Sequence, residues 1–150
     1  MYSAKDILVE AIEATRSKRN KMLFVVASRH TPQQWRRIIE QLDIPALNVG
    51  LRLSEQLRYL PPDRRPLEVG RILRSMIASH DRVLLDHIEY LFDVELRQNP
   101  IRLFEHLSGN TTLIIHWPGS AAGGNLIYAS SEHPEHYTSD KSYAGYIIEI

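Results

Sequence analysis

Met22-Leu23-Phe24-Val25-Val26-Ala27 is an unbroken apolar run. A strand with one wet face would alternate apolar with polar residues. A run without alternation predicts a strand covered on both faces, as in a parallel sheet. Thr31-Pro32 follow closely and predict a helix. Thr31 serves as N-cap, and Pro32 stands in the first turn, where a missing N–H costs little. Trp35, Ile38, Ile39 and Leu42 recur at helical spacing and form its inner stripe.

The same unit recurs along the chain. Residues 44–49 read as a second strand, and Leu51–Leu60 as a helix stopped by Pro61-Pro62. Pro66 opens another helix, with Val69, Ile72, Leu73, Met76 and Ile77 inward. Arg82–Asp86 is a third strand. Asn99-Pro100 then starts a helix bearing Leu103, Phe104 and Leu107 on one face. Thr111–His116 is a fourth strand. Trp117-Pro118-Gly119 and a glycine turn at Gly123-Gly124 follow, and short strands near 125–129 and 144–149 finish the chain. Upstream of the first strand, Ile7, Leu8, Ala11, Ile12 and Thr15 predict an amphipathic helix over 3–17. Arg16, Lys18, Arg19 and Lys21 close it, as suits the negative end of a helix dipole. Strand and helix alternate, so the expected class is α/β, with a mainly parallel sheet between helical layers. Ligands in such sheets gather at the carboxyl ends of the strands. That directs attention to Ser28–Thr31, Asn48–Gly50, Asp86–Glu89 and His116–Gly119.

At 150 residues the chain is expected to form one domain. Hydrophobic residues make up 43% of it, enough for a core of ordinary size. Without cysteine there is no disulfide, thiolate zinc site, iron–sulfur cluster or cysteine nucleophile. No apolar run approaches about 18 residues, so no membrane helix is expected. The acids in the first helix argue against a secretory signal, and a cytoplasmic protein is the expectation. Net charge is zero, yet residues 1–75 hold 14 Lys/Arg against 8 Asp/Glu, and residues 76–150 hold 4 against 10. The halves are thus +6 and −6, a pattern compatible with a basic binding face, a self-complementary surface for assembly, or solvated helix faces that differ.

Val83-Leu84-Leu85-Asp86-His87-Ile88-Glu89 is the strongest chemical signal. An apolar strand ending on a carboxylate, with a second acid three residues on, is the Walker B layout of P-loop NTPases. There the first acid orients Mg²⁺, and a nearby acid can polarise the attacking water. The plain alternative for Asp86 is an N-cap. His116, at the end of the fourth strand, stands where ASCE-type ATPases place a γ-phosphate sensor; it also reads as a strand-end surface residue. The first strand should then lead into G-x-x-x-x-G-K-[ST], whose free N–H groups cradle phosphate. The corresponding residues are Ala27-Ser28-Arg29-His30-Thr31-Pro32-Gln33-Gln34. Ala27 and Pro32 replace the glycines, Gln33 the lysine and Gln34 the hydroxyl. No glycine reaches positive φ, and Pro32 offers no N–H. Each charge-assisted contact is worth roughly 1.5–3 kcal/mol, so losing two or three weakens binding by a few orders of magnitude. Ser28, Arg29, His30, Thr31, Gln33 and Gln34 are the nucleotide-loop candidates, and Arg29 and His30 the ones able to meet an anion in another way.

Four stretches resemble the BrxF family, the small P-loop-type components of bacteriophage-exclusion (BREX) defence systems. They are Leu47–Ser54, Leu60–Leu67, Leu84–Phe92, and Trp117-Pro118-Gly119 followed by His133-Pro134-Glu135. The resemblance rests on their order and spacing over most of residues 22–137. It implies a P-loop NTPase-like, ASCE-type three-layer sandwich with a mainly parallel five-stranded sheet. It implies a subunit of a multiprotein antiviral system, with homo-oligomers and other BREX-type proteins as partners. ATP and Mg²⁺ are the cofactors of such a site, and the degenerate loop predicts weak or absent binding and puts hydrolysis in doubt. An active ATPase with an unusual phosphate loop and a DNA-binding adaptor are the alternatives.

The remaining candidates carry less. Arg64, Arg65, Arg71 and Arg74 form a basic stripe that could be an arginine finger, a nucleic-acid contact or a solvated face. Glu132, His133, Glu135 and His136 cluster, but their spacing is not that of a helical zinc site and Pro134 argues for a loop, so no metal is assigned. Tyr137, Tyr143 and Tyr146 can stack on nucleotides or cover an edge strand.

Overall fold

The structure, a computed structural model, describes residues 2–150. Its main sheet has five strands: β1 (Met22–Val26), β2 (Ala46–Asn48), β3 (Arg82–Asp86), β4 (Thr112–His116) and β8 (Ile147–Glu149). Their order is β2-β3-β4-β1-β8, and every neighbouring pair is parallel. All five residues of β1 are buried, as its unbroken apolar run requires.

Because strand side chains alternate in direction, each strand feeds two cores. Leu23, Val25, Leu84 and Ile114 pack with α1 (Ala4–Ala14) and α2 (Pro32–Leu42). Phe24, Val26, Val83, Leu85, Leu113 and Ile115 pack on the other face, with α3 (Val49–Leu57), α4 (Arg65–Ile77) and α5 (Pro100–Leu107). The fold is therefore α/β, with helices on both faces of a parallel sheet.

The helix starts follow the capping signals. Thr31 and Gln34 form a reciprocal capping box ahead of α2, and Asn99 caps α5 before Pro100. Ser3 and Asp6 cap α1 in the same way. That helix ends at Ala14 and tightens into a 3₁₀ turn at Thr15–Ser17, where Lys21 Nζ donates to the carbonyls of Thr15 and Lys18.

Several boundaries differ from expectation; the helix read as Leu51–Leu60 stops at Leu57, and the strand read from residue 44 starts at Ala46. Val49, read as the end of the second strand, belongs with Gly50 to α3, because the Asn48 side chain accepts from Leu51 N and starts the helix there. The segment 125–129 stays outside the main sheet. It contributes β6 (Asn125–Tyr128) to an antiparallel trio with β5 (Ser120–Ala122) and β7 (Tyr137–Thr138). Residues 144–146 complete a 3₁₀ helix, Lys141–Tyr146, that leads into β8.

The trio is anchored at Trp117-Pro118-Gly119. Trp117 is 1% exposed and packs edge-on against Phe24 and Phe92. Its Nε1 donates to the Ile127 carbonyl at 3.0 Å. A Cβ on Gly119 would lie 1.9 Å from that same oxygen, so the approach requires glycine.

Candidate functional site: the Asp86–His116 cleft

Parallel strands deliver their chain ends to one edge, so the segments after β1, β3 and β4 converge. β3 and β4 run in register to Leu85↔Ile115, which sets Asp86 and His116 side by side. Asp86 Oδ1 lies 2.8 Å from His116 Nδ1. The same oxygen accepts from the His87 amide at 3.0 Å, and Oδ2 accepts from Trp35 Nε1 at 3.3 Å. Trp35 reaches across from α2, and its ring lies against that of His116, with centroids 4.3 Å apart. A carboxylate at Nδ1 fixes the ring proton there in the neutral form. His116 Nε2 has no partner among the described residues.

Burial works against ionising Asp86. The hydrogen bond from His116, the charges of His116 and His87, and the His87 amide together outweigh it, so the carboxyl sits below the ordinary aspartate value. His87 adopts φ 54° to turn the chain directly after the acid. Gly50, at the start of α3, donates its N–H to the His87 carbonyl at 2.9 Å, and a Cβ there would stand 3.0 Å from that oxygen. The close approach of α3 thus braces the bend behind Asp86.

These groups line a cleft of about 280 Å³. His30 and Thr31 stand on one wall, and Glu89 stands with Asp86 and His87 on another. Glu89 begins a 3₁₀ turn, Glu89–Phe92, and is exposed. Asp86, Glu89 and His116 therefore line one cleft. Pro32, Arg36, Ile39 and Ala27 complete the lining, and Arg36 carries no sequence signal. Trp35 satisfies its reading as an inner-stripe residue, being 5% exposed. Its second role, as donor to Asp86, is invisible to periodicity.

The loop after β1 spends its N–H groups on the protein itself. Arg29 N donates to the Ile150 carbonyl at 3.4 Å, and His30 N to the Ala27 carbonyl at 3.2 Å. Thr31 N donates to Gln34 Oε1 at 2.9 Å, and Gln34 N to Thr31 Oγ1 at 3.1 Å. Ser28, Arg29, Gln33 and Gln34 are exposed and lie outside the cleft lining. The ATP and Mg²⁺ of a Walker site do not fit these residues. There is no lysine in the loop, the amides of Arg29, His30, Thr31 and Gln34 are engaged, and both oxygens of Asp86 already hold protein donors.

The arginine stripe lies apart. None of Arg64, Arg65, Arg71 and Arg74 lines the cleft. Arg65 Nε donates to the carbonyls of Leu57 and Leu60, at 3.0 and 3.1 Å, closing the end of α3. Arg71 pairs with Glu68 one turn earlier, while Arg64 and Arg74 are exposed. His133 and His136 are engaged locally: His133 Nδ1 accepts from Glu135 N, and His136 Nδ1 meets the Ala129 carbonyl. Among the described residues, no three His, Asp or Glu side chains converge as a metal would require. Tyr137 donates to Asn99 Oδ1 and packs against Phe92 and Trp117. Burial, together with the Asp140 charge, pushes its hydroxyl up to about 12. Tyr143 donates to Glu105, and Tyr146 lies under Lys18. No helix of the described residues is long and apolar enough to cross a membrane. The comparisons add no identity to this geometry: no family model, curated protein or solved structure matches the chain.

Proposed function

We propose that this chain is a P-loop NTPase-like subunit of a bacteriophage-exclusion defence system, one that has lost ATP hydrolysis and acts through assembly. One observation carries the loss of hydrolysis. The loop after β1 caps its own helix with the atoms a phosphate would need, while Asp86 is closed by His116, Trp35 and His87. The P-loop lineage is supported by the place of β4, between the loop-bearing β1 and the acid-bearing β3. That order brings a strand-end histidine to the acid. The four BrxF-like stretches support the defence role, and the +6 and −6 halves support contact between copies or with partner subunits.

Calorimetric titration with ATP and Mg²⁺ tests the reading. No saturable heat up to millimolar nucleotide is the expected result. Micromolar binding abolished by Asp86→Ala would overturn it in favour of an active ATPase. Light scattering tests the assembly: a mass that rises with concentration and falls with added salt is expected, because charge complementarity is screened within about a nanometre. A constant monomer mass counts against it.

A further inference from the structure

Three donors from the protein take up most of the acceptor capacity of the Asp86 carboxylate. The groups on the cleft wall left open are of the opposite character. His116 has an unpartnered Nε2. Arg36 has no hydrogen bond or ion pair among the described residues, and His87 is exposed beside it in the lining. His30 Nδ1 is shielded from solvent and has no partner, an unmet hydrogen-bonding valence in a residue that lines the same cleft. Glu89 is the one open carboxylate among them. The eleven-residue α2 also begins here, with Thr31 and Pro32 in the wall, and adds the positive end of its dipole. Ala27, Pro32 and Ile39 supply apolar surface.

We infer that the cleft binds a small organic oxyanion, with the acid group received by His116 Nε2 and the Arg36 guanidinium and the apolar part laid against Ala27, Pro32 and Ile39. Asp86 is then a positioning residue. It holds the ring through Nδ1 and leaves Nε2 facing the ligand, where a proton brought by the acid group is shared between Nε2 and the oxyanion. Trp35 lies against the His116 ring at a tilt of 32° and restricts its plane. The volume of about 280 Å³ sits just below the range of drug-sized pockets and suits a ligand of roughly ten heavy atoms. Carboxylates and phosphate monoesters share the required chemistry.

NMR titration of the ¹⁵N-labelled chain with benzoate and with phenyl phosphate tests this, with benzamide as the neutral control. Saturable shifts at the His116 ring nitrogens and at the amides of 27–39 and 86–89 are expected, with millimolar dissociation constants. Arg36→Ala, on an exposed side chain that the fold does not use, should weaken binding at least about fivefold, as should His116→Gln. Several results would overturn the inference: benzamide binding as well as benzoate, shifts scattered over the surface, no saturable shift with either anion, or no effect of Arg36→Ala. Inorganic phosphate binding as tightly as both organic anions would remove the apolar half of the argument. Because the inference rests on a cleft closed to nucleotide, ATP with Mg²⁺ is titrated alongside. Nucleotide binding lost in Asp86→Ala defeats the proposed function, whereas absence of benzoate and phenyl phosphate binding defeats only the oxyanion site.

Discussion

Asp86 and His116 end adjacent parallel strands in register, and a 2.8 Å contact between Oδ1 and Nδ1 joins them beyond the last paired residues. The acid that a Walker reading reserves for Mg²⁺ is thereby committed to protein donors. Asp86→Ala removes the acceptor of three of them and leaves Trp35 Nε1 partly buried without a partner. A loss of about 1–3 kcal/mol is expected in urea denaturation. Asp86→Asn retains one oxygen for His116 and His87 and should cost less. Equal stability of Asp86→Ala and the parent chain would show that the cluster contributes nothing to the fold.

The same contact sets an acid limb in the stability profile. Asp86 has a folded pKa below its unfolded value, so the unfolded chain binds the proton more readily. Its contribution is complete above the unfolded value and is lost as pH falls through the folded one. Asp6 and Asp140 are lowered as well, held by Ser3 and Ser142, and add to the same limb. Asp86→Asn should therefore flatten the fall in stability below about pH 4 without abolishing it. Denaturation midpoints from pH 2 to pH 6 measure the difference; parallel curves for the two chains would contradict it.

Arg65 and Arg74 lie on one sequence stripe but do different work. Arg65→Ala leaves the Leu57 and Leu60 carbonyls without their guanidinium donor and should cost about 1–2 kcal/mol. Arg74→Ala, on the exposed last turn of α4, should stay within about 0.5 kcal/mol. Thermal unfolding of the two variants distinguishes them. Similar values would return Arg65 to the pool of free cations.

Gly119 and Gly50 both meet a carbonyl, at different distances. Gly119→Ala would drive a methyl to within 1.9 Å of Ile127 O, which only movement of the β5–β6 ribbon relieves, and a loss of at least about 3 kcal/mol is expected. Gly50→Ala meets His87 O at 3.0 Å and gains helix propensity in α3, so its cost should be smaller. The ranking is checked by chemical denaturation of both variants.

Local signals carried much of this fold. The apolar runs at Met22–Val26 and Val83–Leu85 read correctly as buried strands, because full burial removes alternation. Thr31-Pro32 and Asn99-Pro100 marked helix starts through short-range capping. Val49 went to α3 because the Asn48 side chain, rather than the apolar pattern, decides that boundary. The separation of β6 from the main sheet depends on Trp117 and Gly119 meeting Ile127, a contact that hydrophobic periodicity does not encode. In the site, Asp86, Glu89 and His116 were legible as strand-end residues. The Trp35 bond to Asp86 and the presence of Arg36 in the cleft arise only when α2 is laid across the sheet.

Trp35 and Trp117 are the chain's two tryptophans, and the sheet divides them. Trp35 belongs to the α1–α2 side and touches the His116 ring, whereas Trp117 lies in the α3–α5 side among Phe24, Phe92 and Tyr137. Each helical layer thus contains its own fluorophore. In Trp117→Phe the remaining emission reports the cleft, where an imidazole lies against the indole. In Trp35→Phe it reports the aromatic cluster under the small sheet. Loosening of one layer can therefore be timed separately from the other by optical means.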